Sequence, residues 1–140
     1  AIGRRREAIE QLTQFAEDRY LHQTGRINSE RKFVLNEDLP DLLSKVANEG
    51  DPVWGDEKWV VHFHVPIFLE RFGHLTTSQK AIMECLRKLA DPDCQADFTG
   101  HLEIETYAWT VLPESMRKRG LADDIANELR WLRRAIFEVV

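Results

Sequence analysis

The period of the apolar residues changes along the chain, and each change marks an element. Over about Arg4–Leu21, Ile9, Leu12, Phe15 and Ala16 share one helical face while Arg5, Glu10, Gln14 and Asp18 lie elsewhere, which predicts an amphipathic helix. From Thr24 to Asp56 no period holds. Gly25, Asn28, Pro40, Gly50, Asp51-Pro52 and Gly55 punctuate this stretch, leaving one short helix over Asp41–Asn48 with Gly50 at its C-cap. Lys58–Val65 then reads as a strand, rich in Trp59, Val60, Val61, Phe63 and Val65, and Pro66 ends its hydrogen bonding. A second helix is expected from Thr76, where Thr76 and Gln79 have capping-box spacing, with Ile82, Cys85, Leu86 and Leu89 as its stripe and Ala90-Asp91-Pro92 as its stop. A second strand is expected from His101 to about Trp109. A last helix follows over about Ala122–Glu138, with Ile125, Leu129, Leu132, Ile136 and Val139 on one stripe.

The order strand, helix, strand, helix, with about 35 residues between the strands, is that of a right-handed βαβ crossover and parallel strands. Side-chain parity adds a second constraint. Val61, Phe63 and Val65 share one face of the first strand and His62 and His64 the other; Leu102, Ile104 and Thr106 oppose His101, Glu103, Glu105 and Tyr107 in the second. An open doubly wound sheet would bury both faces under helices, at a cost of several kcal/mol per unpaired ion. A closed barrel solves this, because its lumen tolerates polar groups near the C-terminal mouth. The expected fold is therefore α/β, the C-terminal part of a (β/α)8 TIM barrel with two parallel strands (about 58–65 and 101–109) and flanking helices. A whole barrel takes about 250 residues, so residues 1–140 read as a single-domain fragment, the C-terminal βα units, with the remainder of the barrel on the same or another chain. The start at Ala1-Ile2-Gly3 rather than Met points the same way.

Composition narrows the function. With 19 Lys+Arg against 24 Asp+Glu the net charge is −5, which argues against non-specific nucleic-acid binding, and Arg4-Arg5-Arg6 is too short to reverse that. No run approaches the roughly 20 apolar residues of a membrane span, and no signal-peptide apolar region precedes the first helix. The expected compartment is the cytoplasm. Cys85 and Cys94 make no disulfide framework, and Cys85 is expected in the core. There is no Gly-rich phosphate loop, Cys-x-x-Cys pair, serine nucleophile elbow or zinc-protease helix motif.

The chemistry is thus expected on the polar strand faces. Residues late in each strand lie nearest the mouth, so His64 and Glu105 are the candidates for direct contact with a ligand, and His62, Glu103 and Tyr107 for support. An imidazole and a carboxylate are half of a mixed N/O site for Zn²⁺, Mn²⁺ or Mg²⁺, and equally a general acid and base. A structural His–Glu hydrogen-bond network in a polar barrel core fits the same spacing, since a lone His-x-His is not specific. Tyr107 and Trp109 either wall a pocket or pack the rim. His74 reads as a loop histidine, and Arg117, Lys118 and Arg119 as a solvated basic run.

Two segments carry a family likeness. His62-Phe63-His64-Val65-Pro66-Ile67-Phe68 with Leu75-Thr76-Thr77, and His101 through Trp109 with Val111-Leu112-Pro113, resemble the C-terminal signature of the EboE metabolite-traffic proteins, relatives of the xylose-isomerase-like TIM barrels. Tyr20-Leu21-His22-Gln23 is similar to the segment that precedes the seventh strand there. The resemblance implies a barrel of the sugar-phosphate isomerase or epimerase type acting on a small-molecule metabolite. It implies a divalent metal held by His64 and Glu105; read as an enzyme, the chain would have Glu103 and His62 as its catalytic groups. Arg71 stands at a distance comparable, though not identical, to that of a substrate-contacting arginine. The alternative is a non-catalytic metabolite-binding or carrier module, or a structural piece of a larger assembly.

Overall fold

We describe the fold from a computed structural model, in which residues 2–16, 19–28, 30–49, 57–105, 114, 117 and 120–139 are described. The elements follow the sequence order α1 (Ile2–Leu12), a 3-10 turn (Thr13–Phe15), β1 (Thr24–Ile27), β2 (Phe33–Asn36), α2 (Leu39–Glu49), β3 (Lys58–Val61), β4 (Arg71–Phe72), β5 (Leu75–Thr76), α3 (Gln79–Ala90) and α4 (Leu121–Val139). They fall into two compact units, Ala1–Phe63 and His64–Val140.

The first unit is a three-stranded antiparallel sheet, order β2-β1-β3, with helices on one face. Register puts Thr24 opposite Asn36 and Val61, and Arg26 opposite Val34 and Trp59. That face is the inner one: Thr24 is fully buried, and Trp59 packs with Ile9 against Leu42 and Val46 of α2. Asp38 immediately precedes α2 and accepts from the amides of Leu39 (2.8 Å) and His22 (2.9 Å), satisfying a donor that the helix leaves open. Phe15 stacks on Phe63 with ring centroids 4.6 Å apart, which closes the end of the sheet below the 3-10 turn. The opposite face carries Ile27, Phe33, Leu35 and Val60, all exposed. Gly25 sits among them under the Phe33 ring, where a Cβ would come within 2.6 Å of Phe33 Cε2.

The second unit packs α3 against α4. Leu86, Leu132 and Ala135 are its buried centre, with Ile67, Ile82, Met83, Ile104, Trp131, Ile136 and Val139 around them. The β4–β5 hairpin turns at Gly73-His74, and Gly73 (φ 55°) takes the left-handed backbone that a side chain would disfavour.

The TIM-barrel expectation is overturned. The fold is a small α+β one, and every strand pair among the described residues is antiparallel. The strand expected over 58–65 ends at Val61 and takes β1 as its neighbour. Of the strand expected over 101–109, residues 101–105 lie outside any strand, and 106–109 lie outside the described residues. The long connection that suggested a parallel crossover contains the β4–β5 hairpin, and the α3 within it packs on α4. Connection length says what a parallel pair would need; it does not make two strands neighbours. No helix among the described residues is long and apolar enough to cross a membrane.

Two smaller expectations also shift. Thr76 does not cap α3, because it pairs with Arg71 in β5; Thr77 Oγ1 accepts from the Gln79 amide instead, at 3.3 Å. Cys85 is exposed rather than in the core, since the stripe of α3 is rotated toward Leu86.

Candidate functional site

Parity survives the loss of the barrel on one side of β3. Val61 and Phe63 are half-buried, whereas Val60 and His62 are exposed. The His62 amide donates to Gln23 O at 2.9 Å, which extends the β1–β3 ladder by one residue. Its side chain therefore belongs to the outer face of an open sheet, not to a lumen. His62 lies in the first unit and the remaining described candidates in the second.

In the second unit two residues 41 apart in sequence meet. His64 Nδ1 lies 3.2 Å from Glu105 Oε2; the His64 side chain is 29% exposed and that of Glu105 55%. Neither residue is in a strand. Two segments bring them together: the one after β3, and the one before residue 106, whose Ile104 packs against the α3–α4 cluster. Ile104 is half-buried against that cluster, while Glu105 beside it is exposed. A carboxylate at this distance fixes the imidazole's tautomer and orientation.

The other candidates do not join them. Glu103 and His101 are exposed. Arg71 is exposed on β4, where its backbone pairs with Thr76, and His74 is exposed at the hairpin turn. Tyr107, Trp109, Lys118 and Arg119 lie outside the described residues; Arg117 is half-buried. No group of three or more His, Cys, Asp or Glu side chains able to hold a metal ion occurs among the described residues.

Periodicity reasoning passed over a pair of acids. On α4 the buried residues are Asp124, Glu128, Leu132 and Ala135; of the expected stripe Leu132 is buried and Ile136 and Val139 pack beside it, but Leu129 is 52% exposed. Glu128 Oε1 accepts the Ile67 amide at 3.0 Å. Its carboxyl is pushed above the ordinary glutamate range, first by burial and further by the neighbouring Asp124, against the opposing effect of the Ile67 hydrogen bond. The available signal was the spacing itself, since positions 124, 128, 132 and 135 form a helical face of their own. Its two acids made it read as the solvent side.

Around Ile67 the backbone is held from several directions. Gln79 Nε2 donates to Ile67 O at 2.7 Å, the Leu69 amide closes a turn onto Pro66 O at 3.1 Å, and Thr77 Oγ1 donates to Leu69 O. The segment leading out of His64 is thus a built turn. Set against models of protein families, curated proteins and solved structures, the chain matches none.

Proposed function

We propose that the protein handles a small polar metabolite at the His64–Glu105 pair. Glu105 orients the imidazole, and the imidazole exchanges a proton with a hydroxy-carbonyl compound, the elementary step of an isomerisation or epimerisation. The observation that carries this reading is the 3.2 Å approach of His64 Nδ1 to Glu105 Oε2. Partial exposure of both side chains leaves the pair within reach of a dissolved ligand. The substrate class, sugar phosphates and related hydroxy-ketones, is taken over from the resemblance of the flanking segments read in the sequence.

A divalent ion enters this reading only as a test. Two ligands each about 2.1 Å from one ion stand about 3–3.4 Å apart, so the observed separation suits a shared ion as well as a direct hydrogen bond. The pair supplies two donors, short of the three or four protein ligands such ions take, and no step here runs through a metal.

The deciding experiment is calorimetric titration of sugar phosphates and hydroxy-ketones into the wild type, His64→Ala and Glu105→Gln, with Zn²⁺ and Mn²⁺ titrated in parallel. We expect saturable binding that weakens about tenfold or more in His64→Ala, the size of one lost charge-assisted hydrogen bond. Deuterium uptake at the carbon beside the carbonyl separates catalysis from carriage, because a carrier binds without exchange. Equal affinity in all three proteins would sink the reading.

A further inference from the structure

We propose that Glu128 is a positioning residue for His64, acting through the peptide of Ile67. This inference rests on the His64–Glu105 reading above. It starts from a residue placed against the grain of its surroundings. Glu128 is 7% exposed on the core side of α4, one turn from Asp124 at 5%, where an apolar side chain would cost less. Its carboxylate meets a backbone N–H, that of Ile67, at 3.0 Å.

That amide is a point of leverage. Ile67 O is held at the same time by Gln79 Nε2 at 2.7 Å, so α3 and α4 grip one residue by its two polar groups. Between Ile67 and His64 stand only Val65 and Pro66, and Pro66 is buried. Proline fixes its own φ and confines the residue before it to extended backbone, which leaves little torsional slack from Ile67 back to His64. The Leu69 amide bonded to Pro66 O closes the turn from the other side. A displacement at Ile67 is therefore handed on to the His64 ring rather than absorbed. Glu105 enters from a separate segment, and a fixed His64 is what lets the two meet at 3.2 Å. The raised carboxyl of Glu128 agrees with this role, since it records a side chain kept at the position despite its burial.

The test is a spectroscopic one at fixed neutral pH. Long-range proton–nitrogen spectra of the imidazoles report which ring nitrogen of His64 carries the proton. The wild type should show Nδ1 protonated and held toward Glu105. Glu128→Gln keeps an acceptor for the Ile67 amide and should leave that signature in place. Glu128→Leu, which removes the acceptor, should shift the His64 nitrogens toward those of a freely exchanging imidazole. Gln79→Ala releases the other end of the same peptide and should produce a smaller shift of the same sign, and it covers the case in which Glu128→Leu does not fold. A wild-type signature unmoved by the folded variants overturns the positioning role alone, and so does a Gln variant that behaves like the Leu variant. Absence of the signature in the wild type overturns the His64–Glu105 reading together with this one.

Discussion

The first unit buries charge as a pair. Arg26 Nη1 lies 3.0 Å from Glu57 Oε2 with both side chains nearly nine-tenths covered, and Trp59 Nε1 donates to the same oxygen at 3.2 Å. Arg5 Nη2 adds a bond to Glu57 O at 3.1 Å. The second unit buries two acids on one helical face, and a peptide N–H rather than a guanidinium faces Glu128. The first arrangement neutralises what it buries, so it ties β1 to the start of β3 and its loss falls on the fold. The second raises the cost of keeping a negative charge in place. Such a charge stabilises little, and what it contributes is the direction in which it holds a backbone segment.

The sharpest way to break this contrast is to remove one partner from the compensated pair. Glu57→Ala removes the buried carboxylate that the Arg26 guanidinium and the Trp59 indole N–H share, and we expect a loss of about 3–5 kcal/mol in chemical denaturation. The double change Arg26→Met with Glu57→Leu should recover most of that loss, since replacing a whole buried pair by apolar residues is close to neutral. A Glu57→Ala protein as stable as the wild type would mean that the pair is solvated in solution.

The second unit should answer with the opposite sign. A carboxyl raised in the folded state binds its proton more tightly there than in the unfolded chain. Its contribution to stability is then present below the ordinary glutamate range and is lost as pH rises through the raised value. Glu128→Gln removes that titration and keeps the acceptor for Ile67. We therefore expect the variant to gain on the wild type as pH rises from the ordinary glutamate range through the raised value, and the difference to level off above that. Thermal melts at a series of pH values would show it. A gap that is constant across the series would place Glu128 in water.

How much of this was legible in the sequence depends on the length of the element. The helices declared themselves, because α2, α3 and α4 each run 11 residues or more, enough to repeat a period. β1 and β2 did not, since four residues hold barely one alternation and Gly25 breaks even that. Their hairpin is closed by local bonds that composition does not single out: Asn28 accepts the Lys32 amide at 2.8 Å, and Arg31 adopts φ 60°. Without those strands β3 had no visible partner, and a parallel one was supplied by the length of the chain after it. The same limit explains the site. His64 and Glu105 were singled out as neighbours on adjacent strands, and they do meet, but outside any strand, on segments anchored separately by Pro66 and by Ile104. Periodicity singled out His64 and Glu105 and missed Glu128, since an acid on a buried face looks like solvent-facing surface until coordinates place it.

The smallest expected effect on stability belongs to the pair with the largest expected role. Glu105 is 55% exposed and His64 29%, so water screens their attraction, and Glu105→Gln should cost less than about 1 kcal/mol in denaturation. The amide still offers an oxygen at the position of Oε2 but carries no charge, so it holds the ring as a weaker acceptor. We expect proton exchange on a hydroxy-carbonyl ligand to fall far more than binding does, while stability stays almost unchanged. That separation distinguishes a pair retained for chemistry from one retained for packing. A Glu105→Gln protein that loses stability on the scale of Glu57→Ala would move His64–Glu105 into the same class as Arg26–Glu57, a structural tie, and the contrast between the two units would disappear.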